Sequence, residues 1–405
     1  MELPRTTAEA AALLGQAAAE GRAVRLMGSG SRSDWWPGTQ ESTPEPLMVS
    51  TLSLSAGEDI HGANLTATFP AALPLRCVHE RLAASGLWLP LLHLDSREST
   101  LGGCVAAGFV NPLQLGFGVT RDWVLGLEVV TPTGSVLSLG GELVKNVAGY
   151  DLVRPHLGAW GRLGLISRVT VRLLPPPLDR ATVEMTCAAT AENIARVDED
   201  VRRILTGLAL PVALEVSLNP GAQIRALAEF TGSSESVSRR AGSLGWDALH
   251  RAEDHLRAWQ AYAGEREIAA AVLPWRARVG VGVPGIRTVA STVYSTLGDE
   301  GWHLSGHAGS GVYYLRWRDE AGPATLLEAL AGELPRGSAS GAYVVAEGAA
   351  AAFMTRSAGW VGFPPRPPRS QDGVETALVR ALSGGRCLNQ NLPLPEDDGA
   401  CGAVL

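Results

Sequence analysis

Cysteine is sparse and follows no ligand pattern. Cys77, Cys104, Cys187, Cys387 and Cys401 are the five in the chain, all far apart and none in C-x-x-C spacing. Such a set excludes a disulfide framework and the paired thiolates of zinc or iron–sulfur sites, so neither a metal nor a cluster is expected. Basic runs are also missing. With a net charge of -7 and Lys and Arg scattered singly, the chain lacks the footprint of a nucleic-acid or anionic-membrane binder. No stretch reaches the roughly 18 uninterrupted apolar residues of a spanning helix, and Met1-Glu2-Leu3-Pro4-Arg5 does not lead a basic region into an apolar one. No transmembrane segment and a cytoplasmic location are expected.

What is present can bury a core. Hydrophobic residues are 46% and charged residues 19% of 405, a globular balance in a chain longer than the roughly 250 to 300 residues that one core serves. Two domains are expected. Thr6 and Glu9 fit a capping box opening a helix that runs to Ala19 and closes at Gly21; Ala23 to Met27 reads as a strand. A helix over Leu75 to Ser85 and a short apolar strand over Leu87 to Leu92 follow. Trp123 to Thr131 and Ser135 to Leu139 form a hairpin about Pro132-Thr133-Gly134, and Leu163 to Leu174 is a further strand. Pro175-Pro176-Pro177 cannot pair in a ladder and marks the boundary, giving domains of residues 1–175 and 178–405. Beyond it we expect an antiparallel sheet backed by helices: strands over Val183 to Ala188, Val212 to Leu218, Ile224 to Phe230, Ala277 to Val283 and Gly311 to Trp317, a helix over Ala191 to Leu205, and a long helix from Ser236 to Tyr262. The fold class is α+β. Phe363 to Pro368 reads as an extended surface crossing, and Glu396, Asp397 and Asp398 as a solvated tail.

Three glycine-rich stretches adjoin strands: Gly28-Ser29-Gly30-Ser31, Ser99-Thr100-Leu101-Gly102-Gly103 with Gly108, and Gly158-Ala159-Trp160-Gly161-Arg162-Leu163-Gly164. Glycine lets backbone N–H groups approach phosphate oxygens, so a dinucleotide pyrophosphate is the natural guest, although any one stretch alone reads as a tight turn. The first lacks the third glycine of G-x-G-x-x-G and has no acid at ribose spacing, which disfavours a Rossmann fold.

Taken in order with Gly118-Val119-Thr120-Arg121-Asp122-Trp123-Val124-Leu125-Gly126, Lys145-Asn146-Val147-Ala148-Gly149-Tyr150-Asp151-Leu152 and Gly161-Arg162-Leu163-Gly164-Leu165-Ile166-Ser167, these stretches resemble the PCMH-type FAD-binding domain of the vanillyl-alcohol oxidase and D-lactate dehydrogenase flavoproteins. The resemblance covers about Ala8 to Pro175. Within that superfamily, Lys145 to Leu152 and the short length look most like the smaller FAD-binding subunit of bacterial glycolate oxidase. It implies a domain of two α/β subdomains followed by a cap-like domain. It further implies that Gly28, Ser29, Gly30, Ser31 and Arg32 wrap the pyrophosphate, with Thr100, Gly102, Gly103, Ala106, Ala107 and Gly108 on its other side. Gly118, Thr120, Arg121 and Asp122 would approach the flavin, and Gly164, Leu165 and Ile166 would contact the cofactor. Lys145 either opposes cofactor charge or is a solvated lysine; Tyr150 reads as a packed aromatic, and Arg121 with Asp122 as a loop-fixing pair. Relatives that tether FAD do so through a histidine or cysteine beside these loops; here no histidine precedes His61, so non-covalent FAD is expected.

Relatives that oxidise 2-hydroxy acids carry H-A-G-D-G-N-x-H. This chain reads His307-Ala308-Gly309-Ser310-Gly311-Val312-Tyr313-Tyr314, without the aspartate, asparagine and second histidine. A lone histidine does not make a divalent site. His307 is a candidate general base, against the alternative of a hydrogen-bonded histidine in a turn. Arg276, Arg278 and Arg316 are candidates to clamp a carboxylate, while His93 and His303 give less. The expected function is an FAD-binding oxidoreductase subunit, glycolate oxidase-like, taking hydride from a small 2-hydroxy acid and passing electrons to partners. Those partners are a catalytic flavin subunit and an iron–sulfur subunit, which could hold the chain peripherally at a membrane. Two alternatives stand beside it: an autonomous FAD-dependent 2-hydroxy acid or alcohol dehydrogenase, and a non-catalytic FAD-loaded structural subunit.

Overall fold

The computed structural model describes residues 1–31, 45–55, 57–91, 99–142, 150–281, 285–318, 325–326, 329–330, 333 and 343–348. Arg32, His93, Lys145, Cys387, Cys401, Phe363 to Pro368 and the acidic tail lie outside them. Helix α1 (Thr7–Ala19) is capped by Thr6, whose side chain accepts from the Glu9 N–H. The expected reciprocal bond is displaced by one residue, since Glu9 accepts from the Arg5 N–H at 2.8 Å. Strand β1 (Val24–Met27) pairs in parallel with β2 (Leu47–Ser50), and Ala10, Leu14 and Ala17 of α1 pack on Val24 and Val49.

A five-stranded antiparallel sheet follows, built from β3 (Asp59–His61), β4 (Thr66–Pro70), β5 (Val124–Val130), β6 (Val136–Gly140) and β7 (Leu165–Arg172) in the order β3-β4-β7-β5-β6. Between β4 and β5 lie α2 (Leu75–Ala84), α3 (Leu101–Ala106) and α4 (Gln114–Phe117). The β5–β6 hairpin closes at Gly134, whose φ of 85° only glycine adopts cheaply and whose N–H bonds Thr131 O. Leu87 to Leu91 is not the expected strand. Pro90 lacks the N–H a ladder needs, and Trp88 makes only an isolated bridge to Leu174. Burial of Leu87, Leu89 and Leu91 satisfies the apolar run instead.

After Pro175-Pro176-Pro177 the chain enters another sheet. Its strands are β8 (Asp179–Ala188), β9 (Ala213–Leu218), β10 (Gln223–Gly232), β11 (Ala248–Arg251), β12 (Trp275–Gly280), β13 (Trp302–His307), β14 (Val312–Trp317) and β15 (Tyr343–Gly348). They run antiparallel in the order β11-β8-β10-β9-β13-β14-β12-β15, so β11 is an edge. Four helices accompany them: α5 (Ala191–Thr206), α6 (Ser234–Gly242), α7 (Ala252–Val272) and α8 (Ile286–Leu297). The single helix expected from Ser236 to Tyr262 is divided into α6, β11 and α7. Gly242 and Gly245, the latter at φ 66°, end α6 and turn the chain so that β11 pairs with β8.

The two faces of this sheet differ. Ile224, Ala226, Ala228, Leu214, Val216, Leu304, Leu315, Ala277 and Val279 form one dry face, on which α5, α6 and α8 lay Val197, Val201, Val237, Val289 and Val293. Period-two alternation puts the residues between them on the other face. There, Thr182, Glu229, Glu215, Ser305 and His307 are buried, and α7 packs against β8, β11 and β13. The sheet meets the N-terminal portion through Leu113, Trp88 and Phe117, which join Val212, Leu227, Trp259 and Tyr262 in one apolar cluster. A Gly116 N–H bond to Val212 O, 3.0 Å long, pins α4 to the sheet.

Candidate functional site

An open pocket is lined by Arg25 to Ser31, Thr51, Ala71, Thr100, Gly102, Gly103, Ala106, Ala107, Trp160, Gly161, Gly164, Leu165 and Ile166. The loop after β1 runs along it, and Ser31 Oγ lies 3.0 Å from Ser99 Oγ, joining this loop to the approach to α3. Among the described residues, the N–H groups of Ser29, Gly30, Ser31 and Gly161 meet no acceptor. Unsatisfied backbone donors around a pocket suit an anion such as a diphosphate.

The α3 glycines act differently from the sequence expectation. The first-turn amides are already engaged: Leu101 bonds Leu73 O, Gly102 bonds Ala71 O and Gly103 bonds Thr100 Oγ1. The glycines there permit close packing. A Cβ on Gly102 would lie 2.6 Å from Ala71 Cβ, and one on Gly28 2.9 Å from Thr100 Oγ1. Trp160 has φ 53° between Gly158 and Gly161, a conformation costly for a bulky residue, and its N–H bonds Ala106 O at 2.8 Å. Sequence reasoning missed Trp160, Thr51, Ala71 and β1 itself as pocket walls; the flanking glycines at 158 and 161 were the signal for Trp160.

Several expected residues stand elsewhere. Gly108, Gly118, Thr120, Arg121 and Asp122 are not in the pocket lining. Thr120 Oγ1 donates to Phe109 O at 2.6 Å, and Asp122 accepts from the Val119 N–H at 3.1 Å. Asp122 therefore fixes this turn mainly through the backbone, since Arg121 Nε is 3.7 Å away in a half-exposed pair. Tyr150 is 96% exposed and not packed. Arg32 and Lys145 are outside the described residues.

His307 ends β13, and the register pairs it directly with Glu215 of β9. Its Nδ1 lies 2.6 Å from Glu215 Oε1, and the Tyr262 hydroxyl of α7 donates to Glu215 Oε2 at 2.8 Å. Burial, then the Glu215 charge, raises the Tyr262 pKa well above that of a free phenol and keeps the donor protonated. Across the neighbouring strands Arg316 sits between His303 and Arg276, and Tyr314 between Ser305 and Arg278. Arg276 lies over the Tyr314 ring at 4.8 Å and Arg266 at 5.5 Å. Arg278 and Arg316 thus share the polar face with His307, although Arg316 also donates to Leu273 O at 3.3 Å.

One segment serves both regions. Ala106 and Ala107 line the pocket, while Gln114 of the same segment donates to Ser310 Oγ at 2.8 Å. Ser310 in turn bonds His307 O. Leu115 also fills the space a Cβ on Gly309 would occupy. Among the described residues, the one trio with metal-ligand geometry is Asp59, His61 and Glu142, partly exposed beside β3 and β6 and outside the pocket lining. No helix among the described residues is long and apolar enough to cross a membrane.

Comparison with known proteins agrees with the pocket. Residues 2–140 match the family described as FAD binding domain. The glycolate oxidase subunit GlcD of Bacillus subtilis is 36% identical over 158 residues, 39% of this chain and 33% of that protein. GlcE of Escherichia coli is 39% identical over 114 residues, 28% and 33% respectively. D-lactate dehydrogenase of Archaeoglobus fulgidus is 28% identical over 212 residues, 52% and 46%. The matches to the two glycolate oxidase subunits thus span about a third of their length. In fold, an alkyldihydroxyacetonephosphate synthase superposes over 94% of this chain and 74% of its own with a TM-score of 0.65 at 15% identity. The protein FgChi7B does so over 86% and 81%, with a TM-score of 0.64 at 14% identity. The N-terminal third of this chain thus matches an FAD binding domain, and the fold of the chain is shared with these two structures.

Proposed function

We propose that the chain is an FAD-dependent oxidoreductase acting on the CH–OH group of a small 2-hydroxy acid, in the manner of a glycolate oxidase subunit, and that it delivers electrons to a partner subunit. The observation carrying this reading is the buried His307–Glu215 pair, tied to the glycine-lined pocket by the segment from Ala106 to Gln114. Bound FAD would supply the hydride acceptor. Ser29 to Ser31 and Gly161 would donate to its diphosphate, with Arg32, outside the described residues, as a further candidate. Gly102, Gly103, Ala106, Ala107, Gly164, Leu165 and Ile166 would shape the walls. FAD would be held without a covalent bond.

His307 would take the hydroxyl proton as the carbon gives up its hydride, and Arg278 or Arg316 would hold the carboxylate. Adjacent strands are about 4.8 Å apart and residues about 3.3 Å apart along a strand, so Arg278 starts on the order of 10 Å from His307, within reach of an extended guanidinium bridging through a small acid. A second reading has a specific observation behind it. Ser310, Val312 and Tyr314 stand where relatives place aspartate, asparagine and histidine, and Tyr314 is covered by arginines instead of facing a metal. That favours an FAD-loaded subunit whose turnover belongs to a larger partner.

Purified protein should be yellow, and acid precipitation should release the colour to the supernatant. Under anaerobic conditions glycolate should bleach the flavin of the isolated chain. Bleaching only after a partner subunit is added would favour the second reading, and a colourless protein that takes up no FAD would refute both.

A further inference from the structure

Relatives' histidine motifs hold their first histidine among aspartate, asparagine and a second histidine, none of which this chain has after His307. A general base still needs one nitrogen free of a proton and a fixed ring. Resting on the function proposed above, we infer that Glu215 is the positioning residue for His307: it binds Nδ1–H, and so leaves Nε2 as the basic nitrogen toward the substrate hydroxyl.

Four observations converge. Glu215 and His307 are register partners on adjoining strands, so the backbone itself sets the pair, with Cβ atoms about 5 Å apart. The 2.6 Å contact is short, as charge-assisted bonds are. Both oxygens of Glu215 are occupied, the second by the Tyr262 hydroxyl, and a carboxylate so placed can only accept, which makes Nδ1 the donor. Among the described residues no hydrogen bond engages His307 Nε2. Glu215 is fully buried and His307 nearly so. Tyr314 meets the ring edge-on at 5.9 Å, and Arg266 lies over both Tyr262 and Tyr314. The logic is that of a carboxylate fixing the tautomer of a catalytic imidazole, reached here across two strands of a sheet.

The test uses the full chain loaded with FAD and labelled with ¹⁵N-histidine, with His307→Gln identifying the His307 signals. The wild-type protein should show His307 as the Nδ1–H tautomer, with Nε2 unprotonated, and Glu215→Gln should convert it to the other tautomer or a mixture. In anaerobic stopped-flow with glycolate, Glu215→Gln should slow flavin reduction by about 10²-fold or more while KM stays within about threefold and FAD content stays that of wild type. Tyr262→Phe should give the same change in milder form, and it serves as the variant if Glu215→Gln does not fold. An Nε2–H tautomer in the wild-type protein would overturn the inference, as would Glu215→Gln with unchanged tautomer and rate. The tautomer is read without turnover, so the two proposals fail separately: a His307→Gln protein that reduces flavin at the wild-type rate removes the base and leaves the spectroscopic result standing.

Discussion

His303 Nδ1 lies 2.7 Å from Asn219 Oδ1 on the same polar face. Burial, with Arg266 and Arg316 nearby, lowers its pKa to about 3 from the ordinary 6.5. The unfolded chain therefore takes up this proton where the folded one does not. The neutral imidazole's contribution to stability is complete above pH 6.5 and is lost progressively as the pH falls toward 3. Between pH 7 and pH 5.5 the loss is on the order of 1 kcal/mol. Denaturant unfolding at those two values should show His303→Gln losing about that much less than wild type; an equal loss in both proteins would show that the group is not buried neutral. At this scale the sequence was legible where chemistry is local, as in the Thr6 cap and the pocket glycines. It was illegible where pairing decides. Glu215 has no neighbour in sequence that marks it, and its role exists only because β9 and β13 lie side by side. Tyr150 was misread for the same reason, since an aromatic residue says nothing by itself about which way its segment faces.

Among the elements, α3 and α7 show the same residue type under opposite constraints. Gly102 faces Ala71 so closely that an added Cβ would lie 2.6 Å from its side chain, whereas a Cβ on Gly264 in α7 would meet nothing within 4 Å. Alanine normally stabilises a helix interior relative to glycine by about 0.5–1 kcal/mol. Gly264→Ala should raise the unfolding free energy by that amount. Gly102→Ala should lower it by about 1–3 kcal/mol, the range for overpacking, and loosen FAD retention by shifting a pocket wall. Thermal melts and the flavin-to-protein absorbance ratio check both, and equal effects would show that α3 has room to move. Periodicity located α1, α2, α5 and the β5–β6 hairpin closely, because each buries one face at its own repeat. It merged α6, β11 and α7, because the Gly242 to Gly245 turn is short and β11 is recognisable as a strand only once β8 is beside it.

Across the whole molecule, the described residues join the larger sheet to the N-terminal portion through α4 and its neighbours. Gly116 is one of them: it bonds Val212 O, and a Cβ there would lie 2.6 Å from Val212 Cγ1. Gly116→Val should push α4 off β9 and, by displacing the histidine from the cofactor by an ångström or so, cut glycolate-driven flavin reduction by about 10²-fold. FAD content should be unchanged, because no residue of α4 lines the pocket. Loss of FAD from this variant would place α4 in cofactor binding instead. The N-terminal architecture could be expected from the order of its glycine loops, but the C-terminal division into a dry and a charged face could not. It depends on which of two alternating sets each strand turns toward α7.

The rim of the larger sheet at β11 also bears on how the molecule meets its own kind. This strand is four residues long; His250 on it holds Glu184 at 2.7 Å, and Arg251 holds Asp179. Another copy adding a strand there would find a short template, and would have to dry out polar and charged groups already partnered within the chain. Growth of the sheet into fibres or edge-joined pairs is blocked on that side by the same polar contacts that anchor the strand.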